Sequence, residues 1–262
     1  MLAGFAAQPL YAPLSPVLSA LADAGQPPDC VALNRLAAAR DLRSGGGIPL
    51  RFVVPGGSGL AYEARIYWLG EVETRPGNWH DCFNALVWLA YPKTKAALNT
   101  RHHLALADSA GGARRGPLRD ALTQFDECGA AVVSTRLDLW EEIRAHHWKE
   151  VFWWRRADVL SSLRVYVFGH ASFDMLRTPH LGLCAKALFL HVDHDWLAAP
   201  LETQLADVDA RMAQRFSGDF SPRPRDFQPL PLLGIPGATA DNGIPAYYDD
   251  SRQFRPLRLI QS

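Results

Sequence analysis

The sequence predicts an α+β fold: a mainly helical single domain with a small, largely antiparallel sheet and an ordered irregular C-terminal segment. Three observations predict it. Amphipathic patterns of helical period recur between residues 15 and 216. Strand-like apolar runs such as IPLRFVVP, AAVVST and LRVYVFGH are short and lack the regular strand–helix alternation of a doubly wound sheet. From Ser217 onward the chain is rich in Pro and Gly, yet it keeps Phe227, Tyr247, Tyr248 and Phe254 as anchors that a disordered tail lacks. The chain is therefore divided at 216: residues 1–216 form the domain and 217–262 wrap around it.

Taken in order, SPVLSALADA and DCVALNRLAAAR predict two short helices, with Ser15-Pro16 and Asp29 as caps. SGGG is a loop, IPLRFVVP a strand and PGGSG a turn. YEARIYWLGEVETR, with its β-branched and aromatic residues, predicts one long or bent strand, or a hairpin. WHDCFNALVWLAYPKTKAALNTRHH predicts two helices broken at Tyr91-Pro92, because a residue before proline avoids helical backbone. Residues 107–119 form a loop carrying Arg114, Arg115 and Arg119. Pro117 then opens the helix LRDALTQFDE, and Gly129 stops it. AAVVST is a strand, DLWEEIRAHHWKEVFWWRR a long helix from Asp138, LRVYVFGH a strand and ASFDMLRTP a helix. GLCAKALFLHV is an apolar element of either type, and PLETQLADVDARMAQRF is an amphipathic helix.

Composition narrows the function. A formal net charge of zero disfavours a polyanion-binding role, so nucleic acid is a permitted but disfavoured partner. No apolar run reaches the roughly 20 residues that span a bilayer, and the N-terminus lacks the basic start of a signal peptide. The expectation is a cytoplasmic protein with no membrane partner. The four cysteines are too widely spaced for a zinc ribbon or a redox pair, and Cys82 and Cys184 read as buried thiols. GGSG lacks the GK[ST] of a phosphate loop, no GxSxG occurs, and no motif for an organic cofactor is evident.

The chemistry concentrates around Pro92. At about 100° per residue, His80, Asp81 and Asn84 share a stripe of the first helix. Lys95, Asn99 and His102 or His103 share a stripe of the second. Polar groups among Phe83, Leu86, Val87 and Trp88 are costly to bury unsatisfied. If the helices fold back antiparallel, Asn84 approaches Asn99 and His80 approaches His103. That gathering suits a divalent metal, zinc or magnesium, on His80, Asp81 and His103, or a histidine general base. The structural alternative is that Asp81 caps a helix while His80 and the Asn residues hydrogen-bond across a helix contact.

Other candidates rank second. On the next helix, which also carries Asp126, Asp120 and Glu127 are seven apart and share a face; such paired carboxylates hold Mg²⁺ or do acid–base work, or else face solvent with Asp120 serving the helix N-terminus. His170 ends a strand beside a glycine, a frequent place for functional groups. His191 and His194 in HVDHD chelate a metal if helical, but Asp193 and Asp195 read more simply as caps. The Trp and basic residues from Trp140 to Arg156 read as core rather than as a stacking surface for single-stranded nucleic acid.

The blocks NWHDCFNALVWLAYPKTKAALN, RDALTQFDECG, FGHASFD, PLPLLGIPG and YYDDSRQFRP resemble a proteobacterial family known only as a domain of unknown function. The resemblance runs from about Phe52 to Pro256 and implies a bacterial, cytoplasmic protein without assigning any residue a role. YEARIYWLGEVETR followed by His80, Asn84 and His102 or His103 is also loosely similar to His-Me finger (HNH-type) nucleases, which implies a water-activating histidine and one metal. Two departures weaken it: only three residues separate His80 from Asn84, and Asn84 is on a helix.

The functional expectation is a metal-assisted or His-dependent hydrolase, with phosphodiesters as the candidate substrate. His80 serves as base or ligand, Asp81 as ligand or orienting partner, Asn84 and Asn99 as positioning groups, and His103 completes the site. Arg119 stabilises a developing anion; His102, Asp126, Glu127 and His170 stand behind them. The alternative is a non-enzymatic binding or scaffolding protein.

Overall fold

Most of the chain is helical in the computed structural model, which describes residues 2–57, 59–107 and 116–257. The N-terminal helices, Ser15–Ala20 and Cys30–Ala39 among them, lead into strand β1, Arg51–Val53. The Asp29 carboxylate caps the second by accepting from the Ala32 backbone N–H at 2.8 Å. Helix α1, Tyr62–Leu69, then precedes β2, Glu71–Glu73, which pairs with β1 in parallel.

This is where the structure departs from the expected strand or hairpin. Parallel strands need a crossover, and YEARIYWL supplies it as a helix despite its strand-like composition. Gly70, at φ 67°, ends that helix in the left-handed conformation. The buried Arg65 of α1 forms ion pairs with Glu71 and Glu73, so the helix is locked onto β2.

Helices α2, Trp79–Ala90, and α3, Pro92–Ala107, follow with the break at Tyr91-Pro92. Helix α4, Pro117–Cys128, runs directly into β3, Gly129–Ser134. Every residue of β3 is buried, as its unbroken apolar run requires of a strand covered on both faces. Helix α5 spans Leu137–Arg144, strand β4 Leu163–Val167, helix α6 His170–Met175 and strand β5 Cys184–His191. Helix α7, Leu201–Ser217, precedes strand β6, Gln228–Pro231. The main sheet has the order β4-β3-β5-β6. β3 is antiparallel to β4 with Ala130 opposite Val167, and parallel to β5 with Ala130 opposite Ala187. β5 is antiparallel to β6 with Ala185 opposite Leu230.

The expected long helix from Asp138 is three pieces. His146, at φ 59°, ends the first piece in the left-handed region. A π-helical turn at Glu150–Trp154 and a helix at Arg156–Ser162 follow. Trp140 and Trp148 are buried as expected, whereas Trp154 is exposed. His146 Nδ1 and Trp148 Nε1 both donate to the Arg255 carbonyl, at 3.0 and 2.8 Å, which fastens the C-terminal segment.

That segment is ordered and contributes buried Phe227, Tyr248 and Phe254. The Phe125 ring meets Phe168, Phe216 and Phe227 at 5.2, 4.9 and 5.1 Å, so one aromatic centre joins α4, the end of β4, α7 and the C-terminal chain. Each such buried ring contributes about 1.5–3 kcal/mol. All four cysteines are free; Cys82 is buried, while Cys184 is only half-buried. Among the described residues no helix is long and apolar enough to cross a membrane. Arg114 and Arg115 lie outside the described residues.

Candidate functional site

Helix α2 begins at Asn78, whose side-chain oxygen accepts from the Asp81 N–H at 3.0 Å. Helical spacing then presents His80 and Asn84 on one face. Asp81 is committed elsewhere: the Arg75 N–H and guanidinium donate to it at 2.7–2.8 Å. Asn84 donates to the Tyr62 hydroxyl at 2.8 Å and accepts from Lys95 Nζ at 2.9 Å. Lys95 Nζ also donates to both Asp126 carboxylate oxygens, at 2.6 and 2.9 Å. Burial raises the Asp126 pKa, but Lys95, with His170 and His102, outweighs it and holds the carboxyl below its usual range.

Around these groups lies a cavity of about 580 Å³. Its lining includes Glu63, His80, His102, Arg119, Glu127 and His170. At one wall three groups converge. His170 Nε2 is 3.4 Å and His80 Nε2 3.9 Å from Glu127 Oε2, both looser than a hydrogen bond. The two imidazole rings meet edge-on at 4.7 Å. One ligand atom from each of the three residues lies within 4.8 Å of the other two. His170 Nδ1 donates to the Asp126 backbone carbonyl at 2.9 Å, which leaves Nε2 as the lone-pair nitrogen facing Glu127.

The backbone sets this juxtaposition. Phe168 and Gly169 N–H both donate to the Gly129 carbonyl, at 2.9 and 2.8 Å, tying the start of α6 to the end of α4. A Cβ at Gly169 would fall 2.4 Å from the Cys128 backbone and the Glu127 carbonyl, so only glycine permits the approach. Burial pushes the His170 pKa down to about 4, against the opposing pull of Asp126. Burial and then Asp126 push Glu127 up. Glu63 is raised to about 7, chiefly by burial, although the Asn99 amide donates to its carboxylate at 2.9 Å.

His80, Asp81, Asn84, His102, Arg119, Asp126, Glu127 and His170 thus share one cavity. His103 does not join them. Its ring stacks on Tyr67 at 3.9 Å and meets Trp68 edge-on at 5.1 Å, so the expected His80–His103 approach is replaced by a contact with α1. Asn99 meets Glu63 and the Gly45 N–H rather than Asn84. The folded-back hairpin fails because α1, the unforeseen helix, occupies the face of α3 that it required. Glu63 went unrecognised for the same reason. In HVDHD, Asp193 caps a short helix by accepting from the Trp196 N–H at 3.0 Å. A larger cleft of about 780 Å³ is lined by Arg144, Arg211, Arg215 and Arg225. There Arg144 and Arg215 stack on Phe189 and Phe220 at 4.6 and 4.2 Å, and no imidazole or thiol lines the wall.

The family model for the protein of unknown function DUF3025 matches residues 50–258. The chain belongs to the DUF3025 family. The DUF3025 match includes β1, every strand of the main sheet and all three converging residues. No curated protein and no solved structure matches the chain.

Proposed function

We propose that this DUF3025 protein is a metal-assisted hydrolase, with one divalent cation held between His80, Glu127 and His170. The observation that carries the reading is the convergence of two imidazole nitrogens and a carboxylate at an open cavity wall without mutual hydrogen bonding. Two nitrogens and one carboxylate favour zinc over magnesium, which prefers oxygen ligands. Three protein ligands beside open space leave a coordination position for water or substrate. A zinc ion there would supply a Lewis acid and an acidified water.

The chain's own groups suit the rest of the chemistry. The Asp126 carbonyl fixes the His170 tautomer, and Lys95 holds Asp126 in place. Glu63, poised near neutrality on the same cavity, exchanges a proton with water or a leaving group. The closed polar clusters elsewhere would also suit a scaffold, but a scaffold gives no reason for the open wall.

Metal analysis of protein purified without a histidine tag tests the reading, followed by hydrolysis assays on phosphoesters and carboxylic esters with and without zinc. About one zinc per chain is expected, lost in His80→Ala and His170→Ala together with activity. Protein free of metal in every preparation, or hydrolysis indifferent to both substitutions, overturns it.

A further inference from the structure

We infer that the cavity takes an elongated ester carrying a second, terminal oxyanion, which seats on Arg119 while the scissile bond reaches the metal site; this inference rests on the hydrolase reading above. The other charged groups of the cavity are already matched. Arg75 is held by Asp81, Lys95 neutralises Asp126, and Glu73 is paired with Arg65. Glu127 belongs to the metal site. Glu63, with a pKa of about 7, carries only part of a charge at neutral pH. Arg119 is the exception: among the described residues its one charged influence is a weak electrostatic pull on Glu63, and its Nε is shielded from solvent without an acceptor. A sheltered guanidinium N–H without a partner is costly, and an incoming oxyanion satisfies it in the fork geometry that suits carboxylate and phosphate.

Helix α4 gives the spacing. Arg119, Thr123, Asp126 and Glu127 line the cavity along one helical face. Glu127 lies eight positions after Arg119, roughly 12 Å along the axis. Arginine side chains on a helix lean toward its N-terminus, away from Glu127. That spacing places Arg119 to anchor a group two helical turns from the metal site. With a divalent cation bound, His80, Glu127 and His170 carry one net positive charge, and Arg119 adds another at the far end. Both ends attract anions.

Inorganic phosphate and succinate, titrated calorimetrically into zinc-loaded and EDTA-treated full-length protein, test the inference and distinguish phosphate from carboxylate as the terminal group. Binding of at least one anion is expected, weakened about tenfold or more by Arg119→Gln and partly restored by Arg119→Lys, with zinc content unchanged in both variants. Equal affinity in wild type and Arg119→Gln, or no binding of either anion at millimolar concentration, overturns it. If wild type takes up no zinc yet binds the anion in an Arg119-dependent way, the anion subsite stands and the metal reading falls, so the two failures are distinguishable.

Discussion

Asp209 and Glu127 are two sheltered carboxylates with opposite surroundings. Asp209, on α7, is buried at the start of α3 and fully occupied. It accepts from the N–H groups of Lys93 and Thr94 at 3.0 and 2.8 Å and from the Thr94 hydroxyl at 2.7 Å. Glu127 faces two imidazoles at 3.4 and 3.9 Å, hydrogen-bonds neither, and opens onto a cavity. The first arrangement exhausts its chemistry in holding two helices together. The second leaves lone pairs directed at common space. Satisfaction, more than residue type, separates a structural polar cluster from a reactive one.

Substitutions should separate the two regions in kind. Glu127→Ala is expected to weaken zinc binding by roughly 100-fold or more while moving the melting temperature of the metal-free protein little. Competitive chelator titration reads the first effect and calorimetry the second. If Glu127→Ala unfolds the protein, the contrast fails. Asp209→Ala should do the reverse. Removing the carboxylate strips three donors of their acceptor, at a cost of about 2–3 kcal/mol, which corresponds to a fall of roughly 4–12 °C in melting temperature. Zinc per folded chain should stay the same. Zinc at about a hundredfold over its dissociation constant should stabilise wild type by about 2.7 kcal/mol and His80→Ala hardly at all. A melting temperature insensitive to zinc in wild type would place Glu127 with Asp209 as a packing group.

A further contrast is read through pH. Glu63 has a raised pKa in the folded chain, so its protonated form favours folding. That contribution is complete below the ordinary glutamate value of 4.5 and is lost as pH rises through about 7. Glu63→Gln keeps an acceptor for Asn99 and cannot ionise. Its stability relative to wild type should be flat below pH 4.5 and climb in its favour up to about pH 7. Parallel unfolding curves across that window would show that Glu63 is not desolvated.

The sequence made some of this legible. Pro92 announced the helix break, Pro117 and Gly129 bounded α4, and the apolar runs of β3, which is fully buried, and of β4, which is mostly buried, were readable because buried strands leave few polar residues. YEARIYWL reads as a strand, yet its Ile and aromatic residues pack equally well on a helix that must bridge parallel strands. With α1 taken as a strand, Asn99 and His103 had no partner but α2, whereas they meet Glu63, Tyr67 and Trp68. His80, Glu127 and His170 were each visible as candidates, but they sit on three elements that only tertiary contact brings together.

At position 169 the main chain of α6 lies so near Cys128 that a methyl group has no room. The gap between Glu127 and His170 is consequently set by skeleton touching skeleton, not by the choice of surrounding side chains. Neighbouring residues can vary in size and the jaws keep their width; a single added carbon at 169 pries them apart.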